Sequence, residues 1–330
     1  MSANGERVQL FLGDQERAQA DRTLPHGEVC VRSIRSPDKQ TENEDSAAII
    51  QLGDDSLVLA VADGVGGSVA GREASNATVR TLSRVLTKVP DETPQLRSAI
   101  LDAVDAANKT VLGLARGAAT TLVVAHLDAK RLQSYHVGDS ELLAVGQRGR
   151  IKQRVVPHSP TGFAVEAGLL DEDEAVQHDQ RHVLFNVIGS SDMRVEVGPA
   201  LQLALRDTVL LASDGLFDNL YIGEIVDTIR SGPLVAAADR LVERVQARMQ
   251  GPEKADQPCK PDDLTVVLFR PHKPRGPGEP APGGLFRLAD LGLTAGRRGG
   301  ARGFELVRAR QLLEELVREL TRLALRDHLE

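Results

Sequence analysis

Acidic residues set at the ends of apolar, β-branched runs constrain this chain more than any other feature. They fall in five short motifs: Asn43-Glu44-Asp45, Asp63-Gly64-Val65-Gly66-Gly67, Val137-Gly138-Asp139-Ser140, Ser213-Asp214-Gly215 and Asp262-Asp263-Leu264-Thr265. Most stand beside glycine, so a fold that turns these runs into strands collects carboxylates at strand tips, where ions can reach them. Dispersed carboxylates with almost no His or Cys support suit a hard cation such as Mg²⁺ or Mn²⁺, which prefers oxygen ligands; zinc is the poorer candidate.

The bulk numbers narrow the class. A chain of 330 residues with 41% apolar content can bury a sizeable core in one large α/β domain or two ordinary ones. A net charge of -7 opposes an electrostatic grip on nucleic acid or anionic lipid, and the absence of Trp leaves little material for base stacking. The local exception is a basic stretch around Arg297, Arg298, Arg302, Arg308 and Arg310. No apolar run reaches the ~20 residues of a membrane-spanning helix, and the start of the chain lacks a signal-peptide core. Cys30 and Cys259 form no metal-type spacing and read as unpaired thiols of a cytoplasmic protein. These properties predict a soluble globular protein with no nucleic-acid or membrane partner.

Residues 1–26 are polar and mixed and read as a variable lead or an added strand. Runs 46–50 and 57–62, joined by Gly53-Asp54-Asp55, predict a hairpin that delivers Asp63 on a rigid strand. Apolar residues recur at three- and four-residue steps over 71–88 and 93–115, which predicts two amphipathic helices. Runs 120–127, 131–137 and 141–145 predict an antiparallel meander, and 157–182 a surface segment with one short helix. Strands are expected at 195–197, 201–204, 208–212 and 264–270, with helices at 222–230 and 234–249. The Pro- and Gly-dense stretch 271–284 marks a linker, and an amphipathic helix within 285–330 must bury its apolar stripe against a partner, a second copy or its own domain.

Carboxylates converging from separate strands can hold two divalent cations a few ångströms apart, which share and activate a water for attack on phosphorus. Asp63 is the natural bridging ligand, because the glycines after it let the backbone approach the metal and offer a carbonyl. Asp214 and Asp262 would complete the shell of one ion, with Glu44 reaching the other. A single Asp-Gly pair is an ordinary turn signal. The joint order of all five motifs is far more specific.

That order resembles the metal-dependent protein serine/threonine phosphatases of type 2C. The match runs from Glu28 to Arg270 and includes the five motifs, Gly71 with Ala74-Ser75, Gly117 with Thr120-Thr121, and Asn186 with Gly189. The resemblance implies an α+β fold, a four-layer α-β-β-α sandwich of two antiparallel sheets flanked by helices, over residues 27–270. It also implies a binuclear Mn²⁺ or Mg²⁺ centre and direct hydrolysis of phosphoserine and phosphothreonine on proteins, opposing a Ser/Thr kinase. Carried over, Asp63 bridges both ions, Asp214 and Asp262 bind the first, Glu44 and the Gly64 carbonyl bind the second, and Asp45 contacts metal-bound water. Asp139 with Asp214 matches the place of a weaker third ion. The catalytic residues so implied are Asp45, Asp63 and Asp214.

Three positions depart from the family pattern. Gln40 stands where many members carry a phosphate-gripping Arg, and Lys39 beside it is the substitute phosphate ligand, a point charge without the bidentate fork. Val65 stands where some members carry a His that serves as general acid, and Val cannot move a proton. Asp263 replaces the usual Asn. His158, His178 and His182 show no ligand spacing and are read as loop histidines. The alternative reading of the same departures is a catalytically weak, phosphatase-like binding module that acts through its C-terminal helix.

Overall fold

The computed structural model describes residues 7–272, apart from 26, 38, 54–55, 66–68, 90–95, 115–116, 179, 182 and 252–256. The linker and C-terminal helix expected after residue 270 therefore lie, from 273 on, outside the described residues. The chain opens with β1 (Val8–Phe11), β2 (Arg17–Leu24) and β3 (Gly27–Ile34), then β4 (Ser46–Leu52), β5 (Ser56–Ala62) and the two-residue β6 (Gly64–Val65). Helices α1 (Val69–Leu86) and α2 (Leu96–Leu112) precede β7 (Ala119–Thr120), β8 (Leu122–Asp128), β9 (Arg131–Val137), β10 (Glu141–Val145) and β11 (Ile151–Arg154). Short helices α3 (Pro160–Glu166) and α4 (Glu172–Ala175) lead to β12 (Glu196–Val197), β13 (Leu201–Gln202) and β14 (Thr208–Ala212). Then come α5 (Asp214–Phe217), α6 (Ile222–Ile229), α7 (Leu234–Gln250) and β15 (Leu264–Pro271).

Two antiparallel sheets carry the fold. One has the order β1-β4-β5-β8-β9-β12, with β13 also on β9; the other runs β11-β10-β14-β15-β3-β2. Period-two alternation explains why strands such as β5 are apolar throughout. Leu57, Leu59 and Val61 enter the core between the sheets, while Val58, Ala60 and Ala62 enter a second core under α1 and α2. Cys30, Leu210, Ala212 and Val266 line a third core beneath α5, α6 and α7. Three cores between successive layers make the α-β-β-α sandwich that the resemblance implies. The helices are seated by single faces: α2 buries Ile100, Ala103, Val104, Ala107 and Val111, and α7 buries Leu234, Ala237, Ala238, Leu241, Val242, Val245 and Met249. Among the described residues, no helix is long and apolar enough to cross a membrane.

The structure differs from the sequence reading in the lead, in the meander and in segment 157–182, which holds two short helices, α3 and α4, in place of one. The lead contributes two strands, β1 pairing with β4 and β2 with β3, each at the edge of a different sheet. Strand β2 alternates exposed and half-buried residues, and so carries no apolar run. The expected meander breaks after β9: β8 and β9 pair, but β10 pairs with β14 and β11 in the opposite sheet. The crossing occurs at Gly138, whose φ of 101° lies in the left-handed region and where a Cβ would sit 2.7 Å from the Thr121 side chain. A Thr121–Ser140 hydroxyl hydrogen bond of 2.6 Å ties the crossing down.

Leu59 is fully buried between the sheets. Leu59→Ala is expected to lower stability by about 2–5 kcal/mol, the range for truncating a buried leucine. A shift in the chemical denaturation midpoint at unchanged slope checks this.

Candidate metal centre

The five motifs meet at one end of the sandwich. Each is delivered by a strand tip or a turn locked by short hydrogen bonds. Asp63 follows β5; its N–H donates to Thr121 Oγ1 (3.0 Å), and its carbonyl accepts from Thr121 N (2.8 Å) and Thr120 Oγ1 (2.6 Å). Glu44 and Asp45 precede β4, with the Asp45 N–H on Asn43 Oδ1 at 2.9 Å and the Asn43 amide on Ser33 Oγ at 3.0 Å. Gly64 lies against the start of α1, where a Cβ would come within 2.4 Å of the Gly71 backbone, so no larger residue fits. Asp139 sits in the crossing between sheets, and Asp262 immediately precedes Asp263 and β15.

Asp214 is the first residue of α5. The hydroxyl of Ser213 donates to Asp45 Oδ2 (2.7 Å) and accepts from Thr265 N (3.0 Å), joining the first and fourth motifs to the fifth.

Crowding is the dominant electrostatic fact. Burial pushes the Asp63 carboxyl well above the usual carboxylate range, and the charges of Asp45, Asp214, Asp262 and Asp139 push it further. Burial also raises Asp45, reinforced by Asp263, and raises Asp139, reinforced by Asp214 and Asp218. Asp262 moves up for the same two reasons, burial and Asp214. Asp45 Oδ1 and Asp214 Oδ1 are buried with no hydrogen-bond partner. Orphaned carboxylate oxygens, oxygen-only donors and a glycine-permitted close backbone approach fit a hard divalent cation.

Lys39 is held at the edge of this group. Its ammonium lies 2.5 Å from Asp263 Oδ2 and 3.2 Å from Glu44 Oε1. Burial alone would lower its pKa, but the hydrogen bond and charge of Asp263, with Glu44, more than reverse this and keep it charged. Asp263 in turn accepts from Ser36 N through Oδ1 (2.8 Å) and from Glu44 N through Oδ2 (2.7 Å). Val65 is half-buried in β6 and offers no proton.

Sequence reasoning missed two members of the site. Asp218 follows Asp214 by four residues, a spacing that places both on one helix face. Burial and Asp214 push its carboxyl up to about 7. Lys260 lies two residues before Asp262 and pairs with Asp214, Asp218 and Asp262; only the return of the chain into β15 brings it there. A cleft of about 270 Å³ opens beside Asp139, Asp214 and Asp218, roofed by α3 and α4. Phe163 and Phe185, near that roof, are 46% and 62% exposed.

The histidines stand apart from this chemistry. His158 Nδ1 accepts from Gly138 N at 3.0 Å and so supports the crossing that presents Asp139. Its ring stacks on His136 at 4.4 Å and 25°, near Glu196. Both Nε2 atoms face Glu196 Oε2, at 3.2 Å from His158 and 4.0 Å from His136, and burial drives His136 down to about 4, which keeps it neutral. His178 makes an exposed turn bond to Gln180 N, and His182 lies outside the described residues.

Comparison with known proteins agrees with this geometry. Residues 36–258 match the protein phosphatase 2C family. The serine/threonine phosphatase Stp of Listeria welshimeri is 27% identical over 236 residues, covering 68% of this chain and 89% of that protein. The crystal structure of the PPM Ser-Thr phosphatase MsPP from Mycobacterium smegmatis, in complex with cacodylate, superimposes with a TM-score of 0.60 at 27% identity, covering 73% of this chain and 97% of the other. The catalytic domain of the phosphatase PstP in complex with two manganese ions shares the fold, with a TM-score of 0.59 at 22% identity over 78% of this chain and all of that one. The chain belongs to the protein phosphatase 2C family of protein serine/threonine phosphatases.

Asp63→Asn removes a charge that its neighbours oppose. In chelator the variant is expected to melt several degrees higher than the parent, at ~4–8 °C per kcal/mol for a small domain and less for a larger one. Mn²⁺ should raise the melting temperature of the parent and raise that of the variant much less. Differential scanning calorimetry of both proteins, with chelator and with Mn²⁺, reads both effects.

Proposed function

We propose that the chain hydrolyses phosphoserine and phosphothreonine on protein substrates at a binuclear Mn²⁺ or Mg²⁺ centre, by direct attack of water and without a phosphoenzyme. The observation that carries the reading is the convergence of Asp45, Asp63, Asp139, Asp214 and Asp262 on one point, with Asp45 Oδ1 and Asp214 Oδ1 buried and unpartnered. Asp63, Asp214, Asp262, Glu44 and the Gly64 carbonyl would hold the two ions. Bound ions of this kind neutralise phosphoryl oxygens and lower the pKa of a water. The two manganese ions of the PstP structure support this stoichiometry.

The protein's own groups complete the chemistry. Asp45 is fixed through Oδ2 by Ser213, and its Oδ1, which accepts no hydrogen bond, is placed to orient a water. Lys39, kept charged and anchored by Asp263, is the phosphate ligand in place of an arginine; as a point charge it attracts phosphate without fixing its orientation. Val65 donates nothing to the leaving group. The substrate class is a phosphoprotein, in opposition to a Ser/Thr kinase. The two cysteines are both free, which suits a cytoplasmic setting.

Phosphate release from a phosphothreonine peptide should require Mn²⁺ or Mg²⁺. It should fall on the order of 10²-fold or more in Asp214→Asn, the scale of removing one electrostatic stabiliser. Release that is independent of metal, or equal in the variant, would defeat the reading. Lys39→Ala is expected to lower kcat/KM roughly tenfold or more, as for loss of a charged hydrogen bond. Its Mn²⁺ affinity should stay near that of the parent, and steady-state kinetics beside a metal titration separates the two effects.

A further inference from the structure

Lys260 is placed by the fold and is not a mobile surface side chain. Its N–H donates to Asn219 Oδ1 at 2.9 Å, and its carbonyl accepts from Asn219 Nδ2 at 2.8 Å, so one fully buried asparagine straps both backbone groups of the lysine. Asn219 is itself tied to the Gly215 carbonyl at 2.9 Å, which links the strap to the helix that carries Asp214 and Asp218. From this anchor the ammonium reaches Asp214 Oδ2 at 2.6 Å, Asp218 Oδ2 at 2.9 Å and Asp262 Oδ2 at 2.9 Å. Three N–H donors meet three carboxylates, which is the full donor complement of an ammonium.

We propose that Lys260 is a resident cation that holds the place of a third divalent ion beside Asp139, Asp214 and Asp218, so that the centre loads two ions and no more. The inference rests on the binuclear reading given above. Asp139, Asp214 and Asp218 alone would offer a divalent ion three carboxylates. With the ammonium seated on Asp214 and Asp218, an ion at about 2.1 Å from the same oxygens has neither the room nor the negative charge it needs. Asp214 Oδ1 accepts no hydrogen bond and stays available to the binuclear pair. The arrangement exchanges a cation that must be captured from solution for one that the chain carries.

Mn²⁺ binding to the full chain tests this, with free Mn²⁺ read by electron paramagnetic resonance and bound metal by elemental analysis after gel filtration. The parent and Lys260→Arg are expected to bind two equivalents, and Lys260→Gln three. The double variant Lys260→Gln with Asp218→Asn is expected to return to two, which assigns the extra ion to this place. Three equivalents in the parent would overturn the proposal without any variant. So would two in a folded Lys260→Gln, or a third ion that survives the Asp218 change. A parent that binds no Mn²⁺ at all would instead defeat the binuclear reading, a distinguishable result.

Discussion

Mutual repulsion among carboxylates governs this end of the molecule. Asp45, Asp63, Asp139, Asp214 and Asp262 approach one another closely enough that burial and their neighbours' charges move Asp45, Asp63, Asp139 and Asp262 upward. A group of this kind costs stability in the absence of cations, and the sandwich must be rigid enough to hold it together. The three stacked cores supply that rigidity. Strands β4, β5, β14 and β15 are paired and buried on both faces, so their tips cannot splay to relieve the charge. The acids are fixed by the same apolar packing that opposes their dispersal.

Polar detail then divides the charge among partners. Hydroxyl groups of Thr120, Thr121, Ser213 and Thr265 tie the site together by hydrogen bonds without adding charge. Lys39 and Lys260 add positive charge at opposite sides, the first toward Glu44 and Asp263 and the second toward Asp214, Asp218 and Asp262. Neither lysine removes the demand for cations near Asp63, whose strongest charge neighbours are all acidic.

How much of this was legible in the sequence depends on the range of the interaction. The β5 run and Asp63 were readable because alternation and a following glycine are local signals, and the observed strand starts one residue earlier than expected and ends where expected. The order of the acids identified the family and its sandwich. The edge strands β1 and β2 were not readable as a pair, because a strand with one solvated face carries half the apolar signal of a buried one. The crossing at Gly138 was hidden because a hairpin and a change of sheet use the same turn residues; only tertiary packing decides between them. Lys260 was invisible for a related reason, since its three partners include two from a helix more than forty residues earlier.

Asp263 shows how far one such contact reaches. Both of its oxygens accept hydrogen bonds, Oδ1 from Ser36 N and Oδ2 from Glu44 N and Lys39. An asparagine there would turn an amide N–H₂ toward one of these donors and remove the negative charge that faces Lys39. Loss of Lys39, in turn, would leave the added carboxylate of Asp263 buried without its counter-charge. Positions 39 and 263 are therefore coupled: a change of charge at either one alone takes from the other its nearest counter-charge.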